Sequence, residues 1–304
     1  MNNIPTPQFL LGTMSWIAYG YFYGAQIPEG FGSNSSSSDP WQLFVNTLES
    51  CKSGHYKSLN KLTQFLLPPV DENLSEACFA LMADAGSVNE REFIARALQE
   101  GPLDVLPIAA DAAGASGNLA LVPLMRDAWR RVADRRQHLR IGLAIARLME
   151  PPGGAIAALA EKFTPDPAER ERLIKRGGRY AELAQQHGEQ TNDFEQAVND
   201  RYNELSGRFA RDIYLWRGQP FNLREMIEEM YQHVTGPQAG MLGGLFIPMR
   251  RKVEATTGWN MSPCFNQGIF NPLGAAAVLD DIVENVSIDH FEIGRKYFFG
   301  RRIE

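Results

Sequence analysis

Apolar residues recur at helical spacing in short blocks between Trp41 and Phe163, and a new block starts roughly every 15–17 residues. Leu74, Cys78, Leu81 and Met82 mark one block, and Phe93, Ala97 and Leu98 mark the next. The second block opens with Asn89 ahead of Glu92, the spacing of a capping box. Pro102 opens a third, with Leu103, Leu106, Ile108 and Ala109, and Asn118 a fourth, with Leu121, Val122, Leu124 and Trp129. A fifth runs from Gln137 to Met149. The breaks between blocks are short and hold Gly, Asp or Pro, so neighbouring helices should run antiparallel. Alanine recurs at inward positions such as Ala97, Ala109, Ala144 and Ala146, which allows close helix approach. No alternating β-branched run interrupts the series, and the pattern predicts an all-α fold.

The second half is less regular. Pro165–Gln186 is charged and helical in character, with a break at Gly177-Gly178. Phe194, Val198, Tyr202, Leu205, Phe209 and Ile213 step by three or four residues, which predicts one helix over 192–216. Asn222 with Glu225 predicts the cap of another helix, and Leu273–Val286 a last one. Gly236–Pro272 is rich in Gly, Pro, Asn and Met and reads as packed irregular loops. Three regions follow from this pattern: an aromatic N-terminal segment with a Ser-rich loop (1–39), helical hairpins (40–163) and a mostly helical region (164–304). Asp39 before Pro40 predicts the start of the helical body.

The block Asn118–Met149 resembles a HEAT-type repeat. Its first helix carries Leu121-Val122-Pro123-Leu124, and its second an arginine followed by small and leucine residues, Arg140 to Ala146. Glu90–Pro123 is a looser echo. The resemblance implies stacked helical hairpins that bind protein, with no inherited catalytic residues.

Composition narrows the function. With 44% hydrophobic and 22% charged residues the chain is globular in character. A net charge of −6 argues against generic binding of nucleic acid or anionic membranes, which rests on cations that neutralise phosphate. Three scattered cysteines, Cys51, Cys78 and Cys264, do not make a disulfide framework and point to a reducing cytoplasm. Residues 1–28 hold no charged side chain, and Phe9–Ile27 is rich in aromatics. Without a basic flank this segment reads as a buried cap or a partner-facing patch rather than a membrane span or signal.

Candidate chemistry is sparse. Cys51 and His55 stand at i, i+4, but a metal would need further ligands that the local sequence lacks. The glycines at 236, 240, 243 and 244 lack the Gly-Lys-Ser/Thr ending of a phosphate loop. Neither a cofactor nor a metal is therefore expected. Arg126, Arg130, Arg131, Arg135, Arg136 and Arg140 crowd one hairpin turn, with Asp127 and Asp134 interleaved, and read mainly as inter-helix pairing. The tail residues Tyr297, Phe298 and Phe299 read as a strand that closes the core and leaves its cations in water.

Compact, acidic, helical and without an active-site motif, the chain is similar in general character to helical immunity proteins of bacterial competition systems. That resemblance implies a non-enzymatic protein that occludes the active surface of a basic toxin. The interface candidates are the acidic residues Asp193, Glu195, Asp200 and Glu204 with Asp280, Asp281 and Glu284. A HEAT-type scaffold, or an enzyme with a site in the 236–272 loops near Trp259 and Cys264, remains the alternative.

Overall fold

The computed structural model describes residues 39–162, 167–236, 243–266 and 269–304, and these are predominantly α-helical with three two-residue hairpins. The aromatic N-terminal segment and most of the Ser-rich loop lie outside the described residues. Among those described, no helix is long and apolar enough to cross a membrane. The fold forms two compact units. One joins the chain up to Glu90 with Phe221–Glu304, and the other is Arg91–Pro220, inserted between those two segments. The first unit is thus assembled from segments far apart in sequence, a grouping that the linear order of the helical blocks does not carry.

In the discontinuous unit, α1 (Pro40–Lys52) begins where Asp39 accepts a bond from the Trp41 amide at 3.0 Å. It buries Trp41, Phe44, Val45 and Leu48. A 3-10 helix (Tyr56–Phe65) leads to α2 (Glu72–Ala85), which Asp71 caps by accepting from the Leu74 amide. α3 (Val88–Glu100) follows. It starts one residue before Asn89, so Asn89 lies in its first turn and not at its cap. Ser87, also a favoured cap residue type, stands at the boundary.

The inserted unit continues with α4 (Leu106–Ala115), α5 (Val122–Arg131), α6 (Arg135–Met149) and α7 (Ala155–Glu161). α4 begins four residues after Pro102, because Pro102–Val105 closes as a turn through the Val105 amide and the Pro102 carbonyl. Asp134 caps α6 by accepting from the amides of Arg136 and Gln137. α6 packs against α4, α5, α7 and the later helix Arg179–Arg208. Small residues set those crossings: a Cβ on Gly114 of α4 would stand 2.6 Å from the Ala144 carbonyl oxygen of α6. α8 (Pro167–Arg176) and α9 (Arg179–Arg208) meet at Gly177-Gly178, both at positive φ. α9 buries Phe194, Val198 and Leu205 as the spacing predicts, but it ends at Arg208. Phe209 is extended there and Ile213 lies beyond the helix; Ser206 and Gly207 are poor helix formers at that point.

A tight hairpin, β1 (Leu215–Trp216) and β2 (Gln219–Pro220), closes the inserted unit. Its turn residues Arg217 and Gly218 both have positive φ, as a two-residue turn of this type requires. The Gly218 amide donates to the Leu148 carbonyl at 2.8 Å, filling one acceptor at the end of α6.

Back in the first unit come α10 (Leu223–Thr235), α11 (Gly243–Thr257) and α12 (Pro272–Asn285), with β3 (Phe265–Asn266) and β4 (Ile269–Phe270) between the last two. Asn222 caps α10 through the amides of Arg224 and Glu225, and Asn271 caps α12 through Gly274. α11 overturns the loop expectation for 236–272. From Phe246 to Thr256 nearly every side chain is buried, so the segment lacks the polar stripe that makes a helix visible in sequence. Burial outweighs its Gly and Pro content. The tail is a hairpin and not a single strand: β5 (Tyr297–Phe298) pairs with β6 (Arg301–Arg302). Tyr297 and Phe298 are buried while Arg301 and Arg302 are exposed, as expected, but Phe299 is only half-buried and the cation of Lys296 is buried instead of solvated. Its turn repeats the helix-capping device, with the amides of Phe299 and Gly300 donating to Ala255 and Thr256 of α11 at 2.8 Å.

Gly114→Ala should destabilise the protein by about 1–3 kcal/mol, because a backbone oxygen cannot move aside. Gly207→Ala, with nothing within 4 Å of the added methyl, should instead stabilise by up to about 1 kcal/mol. Urea unfolding midpoints of the two variants check both signs.

Candidate protein-interaction surface

The acidic residues named from sequence fall into two sets, one in each unit. On α9, Asp193 and Asp200 are exposed. Glu195 is not a free charge: Arg130 of α5 grips it with Nε and Nη2 at 2.6 and 2.5 Å. Those bonds hold the Glu195 carboxyl below its ordinary range, more than offsetting its partial burial. Glu204 pairs with Arg201 one turn away at 2.6 Å. Half of this set is therefore spent within the unit.

The α12 set is arranged differently. Ala275, Val278, Leu279 and Ile282 face inward at i, i+3, i+4 and i+7, which turns Leu273, Ala277, Asp280 and Glu284 to one outward strip with Asp281 beside it. Asp281 and Glu284 are exposed and make no ion pair among the described residues. Asp280 accepts a hydrogen bond from the Tyr231 hydroxyl of α10, which fixes the carboxylate and raises the tyrosine pKa. Leu273, 84% exposed, stands at the start of the strip, and Ile269, 74% exposed, lies just before it on β4. These are the two most exposed large hydrophobic side chains among the described residues. Sequence reasoning named the carboxylates and missed both apolar residues. The available signal was Leu273 itself, a leucine sharing a helical face with Asp280 and Glu284.

The arginine turn is structural. Arg131 donates to the carbonyls of Leu98, Gln99 and Gly101 at 2.7 Å, filling acceptors at the end of α3. Arg140 binds Asp111 of α4, and Arg126 binds Asn199 of α9. Arg135 and Arg136 are exposed.

The structure places the side chains of the catalytic and metal alternatives. Cys264 is buried, and that burial pushes its thiol up to about 12, far from the thiolate a nucleophile needs. Cys51 is buried with its Sγ 3.6 Å from Ser58 Oγ, and His55 is exposed. Among the described residues no group of three His, Cys, Asp or Glu side chains converges. All three cysteines are free thiols.

One charged centre had no signal in the sequence pattern. Asp84, near the end of α2, is 2% exposed. Arg251 Nε lies 2.7 Å from its Oδ2 and Lys252 Nζ lies 2.9 Å from its Oδ1. Arg251 also donates to the Ala80 carbonyl, and Arg250 and Glu254 are fully buried nearby on the same α11. Burial alone would raise the Asp84 pKa, but the two cations and their hydrogen bonds outweigh it and hold it at about 2. No protein family, curated protein or solved structure matches this chain.

The lowered Asp84 pKa makes a stability statement. Its contribution is fully present above the unfolded value of 3.8 and is lost as pH falls towards about 2. Asp84→Asn should cost about 3–5 kcal/mol at pH 7, because it leaves Lys252 buried without its carboxylate. It should also flatten the part of the acid-unfolding curve between pH 4 and 2 that Asp84 supplies, read by denaturant titration at several pH values.

Proposed function

We propose that this chain is a non-enzymatic protein-binding module of the immunity type, which neutralises a cognate bacterial toxin by covering its active surface. The observation that carries the reading is the outward strip of α12. Leu273, exposed, shares its face of α12 with Asp280 and Glu284, Asp281 stands beside them, and a second exposed apolar residue, Ile269, precedes the helix on β4. Apolar side chains of this kind anchor the centre of an interface, where their burial is worth most. Carboxylates beside them steer a basic partner into register and accelerate docking. The net charge of −6 acts in the same direction. Free thiols at Cys51, Cys78 and Cys264 fit a protein that works in a reducing cytoplasm. The helices of the inserted unit supply the HEAT-like scaffold of this reading; the Arg140–Asp111 and Arg130–Glu195 pairs brace it.

The test has two stages. Affinity capture from the native source should recover one basic partner in stoichiometric amount, and that partner should be lethal to cells unless this chain is co-expressed. The triple reversal Asp280→Lys, Asp281→Lys, Glu284→Lys should then slow association by about tenfold or more at low salt. Leu273→Asp should mainly speed dissociation. A captured partner that is harmless alone sinks the neutralisation reading. Association and dissociation rates unchanged in both variants move the interface away from α12.

A further inference from the structure

A second site lies in the same unit, on a different part of the chain. A groove of about 780 Å³ opens between the 3-10 helix Tyr56–Phe65 and the β5–β6 hairpin. Its walls carry Lys57, Lys61 and Arg302, with Glu304 as the one acidic residue among them. Arg301 flanks it, its side chain 3.3 Å from where a Cβ on Gly54 would stand. Lys57, Lys61 and Arg301 make no ion pair among the described residues, whereas Arg302 is shared with Glu292 at 2.7 Å. In a chain of net charge −6, most exposed cations should be drawn to neighbouring carboxylates. Here several are gathered around a concavity and left to solvent. Tyr56 also lines the groove, and its hydroxyl is buried without a hydrogen-bond partner among the described residues.

The geometry points to a binding site for a small, multiply charged oxyanion of the phosphate type. Two lysines and the guanidinium of Arg302 supply charge and donors, and Arg301 adds a further positive charge at the rim. The volume suits a phosphorylated metabolite, since small-molecule sites run from about 300 to 1,000 Å³. This site is independent of the α12 strip and asks nothing of the toxin reading.

Isothermal titration with pyrophosphate, against sodium chloride at matched ionic strength, tests it directly on the full chain. Saturable heat from pyrophosphate alone is expected, together with a rise in the thermal unfolding midpoint. Lys57→Glu with Lys61→Glu should weaken binding by about tenfold or more. Both side chains are exposed, so the variant should keep the parent's circular dichroism spectrum. Lys162→Glu with Lys175→Glu, which changes the net charge equally but lies in the other unit, should leave binding intact. A parallel titration with citrate separates phosphate from polycarboxylate as the source of the oxyanion; equal binding that the groove variant abolishes supports the site. No heat above the chloride control, or equal losses in the two double variants, overturns it.

Discussion

Asp84 has almost no access to water, and a carboxylate survives there only because two cations reach it. Both come from the distant α11: Arg251 and Lys252 stand 167 and 168 residues away in sequence. The unit they occupy is built from two chain segments separated by the whole insertion, Arg91–Pro220. Apolar burial alone would hold α2 near α11 but would tolerate a slip of one turn. A buried carboxylate with one cation on each oxygen does not tolerate it, since a shifted partner leaves charge uncompensated at several kcal/mol, in the range of about 3–5. What the charges add is register.

Other features of that unit inherit this register. The C-terminal end of α11 is where the amides of Phe299 and Gly300 find acceptors, so the β5–β6 turn can seat only if α11 is correctly placed. Lys296, just before β5, sends its ammonium to the Gly86 carbonyl, one residue past α2. The same hairpin supplies Arg302 to the cationic groove. After α11 the chain passes through a short 3-10 turn to β3 and β4, and the Asn271 amide bonds back to Cys264 before α12 begins. The orientation of the acidic strip thus traces to the helix that Asp84 fixes.

Local chemistry was readable from sequence, and long-range pairing was not. The caps at Asp39 and Asn222, the break at Gly177-Gly178, the inward face of α9 up to Leu205 and the burial of Tyr297 and Phe298 each depend on residues within a few positions. α11 escaped because its burial leaves no periodic contrast, and because Pro248 and two glycines mimic a loop. Asp84 escaped for the same reason in reverse: one acidic residue in an apolar helix looks like a surface position until its partners are known. The carboxylates of the candidate surface were legible as charge. Sequence could not separate Glu195, held by Arg130, from Glu284, which is exposed and makes no ion pair among the described residues.

That distinction decides where binding energy can come from. A carboxylate already held by an arginine has its charge largely compensated, and it must give up that pair before it can serve a partner. Glu195 and Glu204 therefore have little to offer beyond the pairs they make. Asp281 and Glu284 carry no such commitment, and Asp280 is oriented by a neutral hydroxyl that leaves its charge intact. Charge alone gives rate and orientation rather than tenacity, which requires apolar area removed from water. Leu273 provides that area at one end of the strip, and Ile269, four residues earlier on β4, exposes more in the same unit. A basic partner with a shallow apolar cleft beside its charges would use both parts together, and a partner matching only the charge would arrive quickly and leave quickly.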